Sequence, residues 1–339
     1  MTTTTEPKQP KQPKLLDVRD LKVEFRTRDG IAKAVNGVTY QVAAGQTLAV
    51  LGESGSGKSV TAQAVMGILD SPPGFVTGGE ILFQGRDLLT LGREERRRVR
   101  GAKMAMIFQD ALSSLNPVLS VGAQLGEMYQ VHRGLSRKAA RGKAVELMER
   151  VGIPAAGARV GDFPHQFSGG MRQRIMIAMA LALEPELIIA DEPTTALDVT
   201  VQAQVMDLLA QLQREFHMGL ILITHDLGVV ADVADTIAVM YAGRIVETAP
   251  VHQLYKAPAH PYTRGLLDSI PRLDQKGRTL YAIKGLPPNL TAIPPGCPFN
   301  PRCPLARDVC RTDLPPLYEV GPGRTSACHF WKETVDGAR

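Results

Sequence analysis

Residues 52–59 read Gly-Glu-Ser-Gly-Ser-Gly-Lys-Ser, and this stretch constrains the possible fold more than any other part of the chain. A short apolar run, Thr47–Leu51, precedes it, and Val60–Leu69 has helical character. A strand that enters a glycine-rich turn at the start of a helix directs backbone N–H groups and the positive end of the helix dipole toward an anion. The stretch therefore predicts a phosphate-binding loop for a nucleoside triphosphate within an α/β fold.

The side chains of this loop have separate expected tasks. Lys58 supplies a positive charge for the β- and γ-phosphates, and the Ser59 hydroxyl is a ligand for Mg²⁺. The glycines let the backbone approach the phosphates closely. The residues predicted to bind the nucleotide here are Gly52, Ser54, Gly55, Ser56, Gly57, Lys58, Ser59 and Val60.

Two adjacent carboxylates follow a second apolar run. Leu187–Ala190 reads as a buried strand, and Asp191 and Glu192 come directly after it. In sheets of this kind, ligands bind at the carboxyl ends of the strands. Asp191 is expected to hold Mg²⁺, directly or through water, and Glu192 to polarise the attacking water. The alternative is a pair of acids that only cap a strand end.

Three further side chains are candidates for the same site. His225 follows the strand Leu220–Thr224 and is placed to contact the γ-phosphate, although a lone histidine is often structural. Gln109 ends a predicted strand and could reach Mg²⁺ or the attacking water, or could be an ordinary loop residue. Phe25 could stack on the adenine ring or pack in the core.

A second helix start carries the features of an anion site. Ser168 is a natural N-cap, and Gly169 and Gly170 follow it at the beginning of a helical segment. A chain with one phosphate loop has no internal use for another such end. We therefore expect it to contact nucleotide held by a second molecule, the alternative being a merely well-capped helix.

The order of patterns along the chain predicts a parallel sheet with three additions. Strand–helix–strand alternation around Leu187–Ala190 and Leu220–Thr224 is typical of a parallel sheet covered on both faces. Alternating apolar and polar residues in Leu15–Tyr40 predict an antiparallel side sheet. Residues from about 111 to 182 predict a helical insertion, and the proline-dense residues 251–339 predict a small, irregular C-terminal domain.

Composition narrows the class of protein. The chain has 339 residues, 44% hydrophobic and 22% charged, with a net charge of +5. Residues 1–14 carry +2 of this charge and Arg93–Arg100 carry +3, so the remainder is neutral, which argues against a nucleic-acid-binding face. Residues 1–14 are expected to be a disordered tail, neither signal peptide nor anchor. No run approaches the roughly 18 apolar residues of a membrane span.

Cysteine is confined to one segment. Residues 1–296 contain none, and all four lie in the last part of the chain. They are separated by five, six and seventeen intervening residues, and they are Cys297, Cys303, Cys310 and Cys328. Such clustering favours a metal site over disulfides in an intracellular enzyme. The spacing is wider than the C-x₂₋₄-C pairs usual for structural zinc. Zinc, disulfides and plain buried thiols stay open at this point.

Together these motifs resemble the ATP-binding subunit of an ABC transporter over residues 15–250. The matching segments occur in the family's order: the Walker A loop Gly52–Ser59, the Q-loop residue Gln109, the signature Ser168–Gln173, the Walker B strand Leu187–Glu192, the D-loop Ala196–Asp198 and the switch histidine His225. The resemblance implies an ATPase with a RecA-like P-loop core. It also implies a head-to-tail dimer in which Ser168, Gly169, Gly170 and Gln173 of one subunit face ATP bound by the other.

The C-terminal segment resembles the extension of dipeptide, oligopeptide and nickel importers, through His260–Leu267 and Cys297–Cys303 with Cys310 and Cys328. This resemblance implies a [4Fe–4S] cluster at the four cysteines, with zinc as the alternative. It further implies a second ATPase subunit, two membrane permeases, an extracytoplasmic binding protein and a place on the cytoplasmic face of the membrane.

The predicted function is therefore ATP-powered import of di- or oligopeptides. The alternatives are import of nickel or another small solute, or a soluble ABC ATPase of translation or DNA repair.

Overall fold

The computed structural model describes residues 14–110, 114–195, 197–270 and 282–337. The expected tail lies outside these residues except for Lys14, which is already the first residue of a strand. The described residues form two sheets with helices packed around the larger one. The predicted fold class, an α/β P-loop core with an antiparallel side sheet, is confirmed.

The larger sheet has the strand order β11-β12-β10-β9-β3-β8-β7-β6. Its strands are β3 (Thr47–Leu51), β6 (Met104–Ile107), β7 (Leu187–Asp191), β8 (Gly219–Thr224), β9 (Thr236–Tyr241), β10 (Arg244–Pro250), β11 (Tyr318–Gly321) and β12 (Arg324–Ser326). Strands β6, β7, β8, β3 and β9 run parallel. Every residue of β3, β7 and β8 is buried, as expected for parallel strands covered on both faces.

The smaller sheet is antiparallel, with the order β2-β1-β4-β5. Its strands are β1 (Lys14–Thr27), β2 (Gly30–Ala43), β4 (Gly74–Phe83) and β5 (Arg86–Asp87). Alternate residues of β1 and β2 enter a core shared with the larger sheet, which includes Leu21, Val23 and Val38. The same core includes Ala62 and Val65, so the side sheet packs against the helix that follows the phosphate loop.

The helices are α1 (Lys58–Met66), α2 (Arg93–Val99), α3 (Val121–Arg133), α4 (Arg137–Arg150), α5 (Ala156–Arg159), α6 (Gly169–Leu181), α7 (Val199–Phe216), α8 (Leu227–Val233), α9 (Val251–Lys256), α10 (Pro261–Asp268), α11 (Asp308–Thr312) and α12 (Trp331–Asp336). Four long helices begin after a polar N-cap whose side chain accepts a backbone N–H: Ser120, Ser136, Ser168 and Asp198. No helix among residues 14–110, 114–195, 197–270 and 282–337 is long and apolar enough to cross a bilayer.

The C-terminal segment is less separate from the core than the sequence suggests. Its hairpin β11–β12 extends the larger sheet, because β12 pairs with β10 through Glu247↔Ser326 and Thr248↔Thr325. Glu247 is fully buried and accepts the N–H groups of Ala259 (2.7 Å) and His260 (2.9 Å). Burial raises the pKa of Glu247 to about 7, against the effect of these hydrogen bonds. The segment after residue 250 is thereby anchored to the strand that precedes it.

Candidate active site

The phosphate loop leaves the carboxyl end of β3, between β8 and β9. Two of its glycines have no substitute. A Cβ at Gly52 (φ 154°) would lie 2.3 Å from the Met240 carbonyl oxygen, and one at Gly57 (φ 100°) 2.3 Å from the Ala34 carbonyl oxygen. The loop is therefore pressed against β9 and β2 where only glycine fits.

Lys58 crosses the inside of the loop. Its side chain is buried, and its Nζ donates to the carbonyl oxygens of Gly52 (2.8 Å) and Glu53 (3.1 Å). Burial lowers the pKa of Lys58, while the nearby carboxylates Glu192 and Asp191 oppose that change. Its two hydrogen-bonding partners are neutral carbonyl groups, so the ammonium charge is available to a phosphate.

The hydroxyl of Ser56 also suits an anion in the loop. Its Oγ is buried and, among the residues described, has no hydrogen-bond partner. A buried polar atom without a partner is costly in a folded protein. A phosphate oxygen in the loop would satisfy it.

Ser59 and Asp191 come together as predicted for a Mg²⁺ site. The Ser59 Oγ donates to Asp191 Oδ1 at 2.9 Å. Burial raises the pKa of Asp191, and the hydrogen bond from Ser59 lowers it. A hydroxyl beside a carboxylate at the end of a phosphate loop is an oxygen donor set that suits Mg²⁺ with its waters. The residues thus fit the ion.

Glu192 is the centre of a second cluster. Its Oε2 accepts from Gln109 Nε2 (3.0 Å) and Thr195 Oγ1 (3.0 Å) and lies 3.4 Å from His225 Nδ1. Its own backbone has φ 46°, and its N–H donates to the Ile223 carbonyl oxygen at 2.8 Å. A non-glycine residue in the left-handed region costs free energy, which the surrounding contacts must offset. The hydrogen bonds from Gln109 and Thr195 thus fix the orientation of the Glu192 carboxylate.

The three predicted catalytic side chains therefore meet, although they are far apart in sequence. Gln109, Glu192 and His225 follow β6, β7 and β8, whose carboxyl ends lie at one edge of the sheet. Thr195 also belongs to this group, and sequence reasoning missed it. Its only signal was its place in the turn three residues after Glu192.

The start of α6 makes no hydrogen bond to the chain's own phosphate loop within the part of the chain that the structure describes. Ser168 and Gly169 are exposed, and Ser168 Oγ accepts the N–H of Met171 at 3.4 Å. A Cβ at Gly170 would lie 2.6 Å from Val201 of α7. Gln173 is buried, and its Nε2 has no partner in the described part of the chain. The predicted cap is present, and its role toward nucleotide stays a prediction.

For two other predicted site elements, Phe25 and the D-loop, the structure gives a position but does not test the predicted role. Phe25 is half-buried in β1 opposite Ala32 and Gly74, where it packs against the core of the side sheet. Its contact with adenine stays a prediction. In the D-loop, Ala196 lies outside the described residues, and Asp198 accepts the Val201 N–H at 2.9 Å as the N-cap of α7.

The four cysteines line one small cavity, together with the rings of His260, Phe299 and Phe330. All four are free thiols. Burial raises the pKa of Cys303 to about 11 and that of Cys328 to about 12, and it also raises the pKa of Cys297. Among the described residues no three His, Cys, Asp or Glu side chains are grouped as a metal ion requires. The predicted [4Fe–4S] cluster and its zinc alternative therefore both stay predictions.

Comparison with known proteins agrees with this architecture. The model of the family "ABC transporter" matches residues 35–195, and that of "Oligopeptide/dipeptide transporter, C-terminal region" matches residues 246–310. The oligopeptide transport ATP-binding protein OppD of Bacillus subtilis is 52% identical over 91% of this chain and 86% of its own length. The dipeptide transport ATP-binding protein DppD of the same organism is 53% identical over 92% and 91%. OppD of Escherichia coli is 50% identical over 96% of both chains.

This chain belongs to the ABC transporter ATP-binding proteins. Like its family it is an ATPase coupled to transport. Among solved structures, the dimeric bacterial ABC transporter cassette MJ0796 is 26% identical, with a TM-score of 0.63 over 70% of this chain and 98% of that one. The cassette cbiO1 of Clostridium perfringens is 28% identical, with a TM-score of 0.62 over 72% and 91%. The predicted family is confirmed.

Proposed function

We propose that this chain is the ATP-hydrolysing subunit of an importer of di- or oligopeptides. One observation carries the proposal: this chain combines the Glu192 cluster with the C-terminal region of peptide transporters. The relatives reported above are peptide-transport proteins, so import of nickel or action as a soluble ABC ATPase is not favoured.

The ATP site is assigned to the residues predicted from the sequence. Residues 52–60 hold the phosphates, and Ser59, Asp191 and Gln109 hold Mg²⁺. Bound Mg²⁺ neutralises charge on the phosphate oxygens. Glu192 accepts a proton from the attacking water, and His225 contacts the γ-phosphate. Because Gln109, Thr195 and His225 all approach one carboxylate oxygen, the base is oriented before substrate binds.

A second ATPase subunit, identical or a paralogue, completes the site. The exposed start of α6 has no hydrogen bond to residues 52–59 among the residues described. The MJ0796 cassette is dimeric. In the proposed dimer Ser168, Gly169, Gly170 and Gln173 of one subunit face ATP bound by the other. Closure of this dimer around ATP moves the permeases, and hydrolysis reopens it.

The remaining proposed partners are two membrane permeases and an extracytoplasmic binding protein, with this subunit on the cytoplasmic face of the membrane. Nucleic acid is not a proposed partner. Purification from detergent extracts tests the assignment. Permease subunits that co-purify with the tagged chain and peptide-stimulated ATPase activity in vesicles support it. Ribosomes or DNA in their place would reject it.

A groove beside Gln109 is the proposed permease-docking surface. It has a volume of about 480 Å³, and the half-exposed Phe108 is part of its lining. Five of its twelve lining residues are methionines: Met66, Met106, Met128, Met176 and Met179. Methionine-lined surfaces adapt to apolar partners. The proposed occupant is an apolar helical segment of a permease, because the family consists of transporter subunits. Phe108 of the groove precedes Gln109, which donates a hydrogen bond to Glu192, so docking in the groove can affect the Glu192 cluster.

We expect Met179→Glu to reduce the permease recovered with the tagged chain at least about tenfold, because a carboxylate would replace an apolar side chain that the docked helix contacts. Quantitative mass spectrometry of the detergent-purified complex measures this. Val131→Glu is the matched control, since Val131 is an exposed apolar residue of a neighbouring helix outside the groove. Equal permease recovery from both variants would place docking elsewhere.

We further propose that Cys297, Cys303, Cys310 and Cys328 bind a [4Fe–4S] cluster that stabilises the C-terminal segment. The support is four free thiols around one cavity in the segment that matches the C-terminal region of peptide transporters. A cluster spreads its four thiolates over separate iron atoms, whereas zinc would draw them to one point.

Protein purified without oxygen is therefore expected to be brown, with about four iron and four sulfide per chain. Absorption spectra and metal analysis measure this. The variant with Cys303 replaced by serine should lose the colour and unfold at lower temperature. Colourless wild-type protein with one equivalent of zinc, or with no metal, would contradict the assignment.

A further inference from the structure

Glu53, the second residue of the phosphate loop, is held from the far end of the chain. The guanidinium of Arg302 binds its carboxylate through two hydrogen bonds, Nη1 to Oε2 at 2.6 Å and Nη2 to Oε1 at 2.9 Å. The Arg302 side chain is 5% exposed and that of Glu53 27%. A bidentate pair of this kind fixes the direction as well as the position of the carboxylate.

The backbone of Glu53 has a second anchor in the same region. Its N–H donates to the hydroxyl of Tyr262 at 2.8 Å, and Tyr262 is fully buried. Both anchors come from beyond residue 250. They therefore hold the outer side of the loop, while Lys58 holds its inner side through the carbonyl oxygens of Gly52 and Glu53.

Arg302 is itself held in place by aromatic rings. Tyr241, Tyr262 and Phe299 form one cluster, with ring centroids 4.6 to 5.4 Å apart. The guanidinium carbon lies 5.8 Å from the Tyr241 ring and 5.9 Å from the Phe299 ring. The Nε of Arg302 donates to the Lys284 carbonyl oxygen at 3.1 Å. Because these contacts already restrain Arg302, the Arg302–Glu53 pair loses little conformational entropy when ATP binds.

The loop needs such external support. Gly52, Gly55 and Gly57 all have positive φ, and a glycine-rich segment has many conformations of similar energy when nothing restrains it. A displacement of Glu53 would also move one of the two carbonyl groups that hold Lys58. The shape of the phosphate site therefore depends on a contact made by the C-terminal segment.

We propose that Arg302 is a positioning residue of the ATP site, which it keeps in its binding shape through Glu53. The inference rests on the proposed function of residues 52–60 as the phosphate-binding loop. It gives the C-terminal segment a task in ATP binding beyond its own folding. Arg302 lies between Cys297 and Cys303. The segment that contains these two thiols therefore also supplies the side chain that holds Glu53 of the phosphate loop.

The test is the Kd for MgATP of four variants, measured by calorimetry at a temperature well below unfolding. We expect Arg302→Met to raise the Kd about tenfold and Arg302→Lys about threefold, because lysine keeps the charge and loses the two-pronged geometry. Glu53→Gln should resemble Arg302→Met while leaving the C-terminal segment unaltered. Arg307→Met is the matched control, since its pair with Glu333 lies in the same segment and is exposed.

Two further readouts separate positioning from general destabilisation. The KM for ATP should rise much more than kcat falls, because the Glu192 cluster is untouched. In the variant carrying both Glu53→Gln and Arg302→Met, the Kd should equal that of either single variant rather than the product of both effects.

An Arg302→Met protein that is folded and binds MgATP as wild type does would overturn the proposal, and so would multiplicative effects of the two substitutions. Lys58→Ala reports independently on the loop: wild-type affinity in Lys58→Ala would reject the proposed phosphate site itself.

Discussion

Glu192→Gln is expected to bind MgATP with near wild-type affinity and to hydrolyse it at least about 100-fold more slowly, the lower end of what a positioned general base contributes. The amide keeps the size of the side chain and can still accept the Gln109 and Thr195 hydrogen bonds, but it cannot take a proton from water. Calorimetry measures binding, and phosphate release under saturating ATP measures turnover. Gel filtration with ATP should show the variant accumulating as a dimer.

Glu186→Gln is a suitable control, because Glu186 is a half-exposed carboxylate that pairs with Lys103 at the other end of β7. It should hydrolyse ATP as the wild type does. Undiminished turnover in Glu192→Gln would remove Glu192 from the chemistry, and the base would then have to be sought among the residues around it.

Lys58→Ala is expected to raise the Kd for MgATP at least about 100-fold. Hydrogen bonds to charged groups contribute about 1.5–3 kcal/mol, and the proposed contacts of the buried Lys58 are with two phosphates. Fluorescence of a labelled ATP analogue measures the Kd. Thermal unfolding without nucleotide distinguishes lost binding from a lost fold.

Lys103→Ala provides the comparison, since Lys103 is a lysine near the same sheet whose side chain is half-exposed and paired with Glu186. It should leave nucleotide affinity unchanged. If Lys58→Ala binds MgATP as tightly as Lys103→Ala, residues 52–59 are not the phosphate site.

The local parts of the site could be predicted because each depends on few residues close in sequence. Gly52, Gly55 and Gly57 adopt positive φ within one short turn, and the run of apolar residues in Leu187–Ala190 specifies a buried strand wherever it pairs. The rule that parallel strands end at one edge then brings Gln109, Glu192 and His225 together without further information. Hydrogen bonds of 3.0 Å and a separation of 3.4 Å agree with that expectation.

The contact of Thr195 with Glu192 and the pairing of the β11–β12 hairpin could not be predicted, because no sequence pattern indicates them. Thr195 stands in a turn where many threonines only satisfy the backbone. The hairpin β11–β12 carries no strong strand pattern, and its pairing with β10 depends on where the intervening chain runs. A proline-dense segment was expected to be separate, yet its hairpin continues the central sheet.

The sequence by itself determined the class of fold, the phosphate loop and the meeting of Gln109 and His225 with Glu192, since periodicity, glycine placement and strand order act locally or by general rules of topology. Only the tertiary structure decided that Arg302 and Tyr262 hold Glu53. That contact joins residues 249 positions apart, and an arginine in an irregular loop has no preferred partner until packing places one carboxylate within its reach.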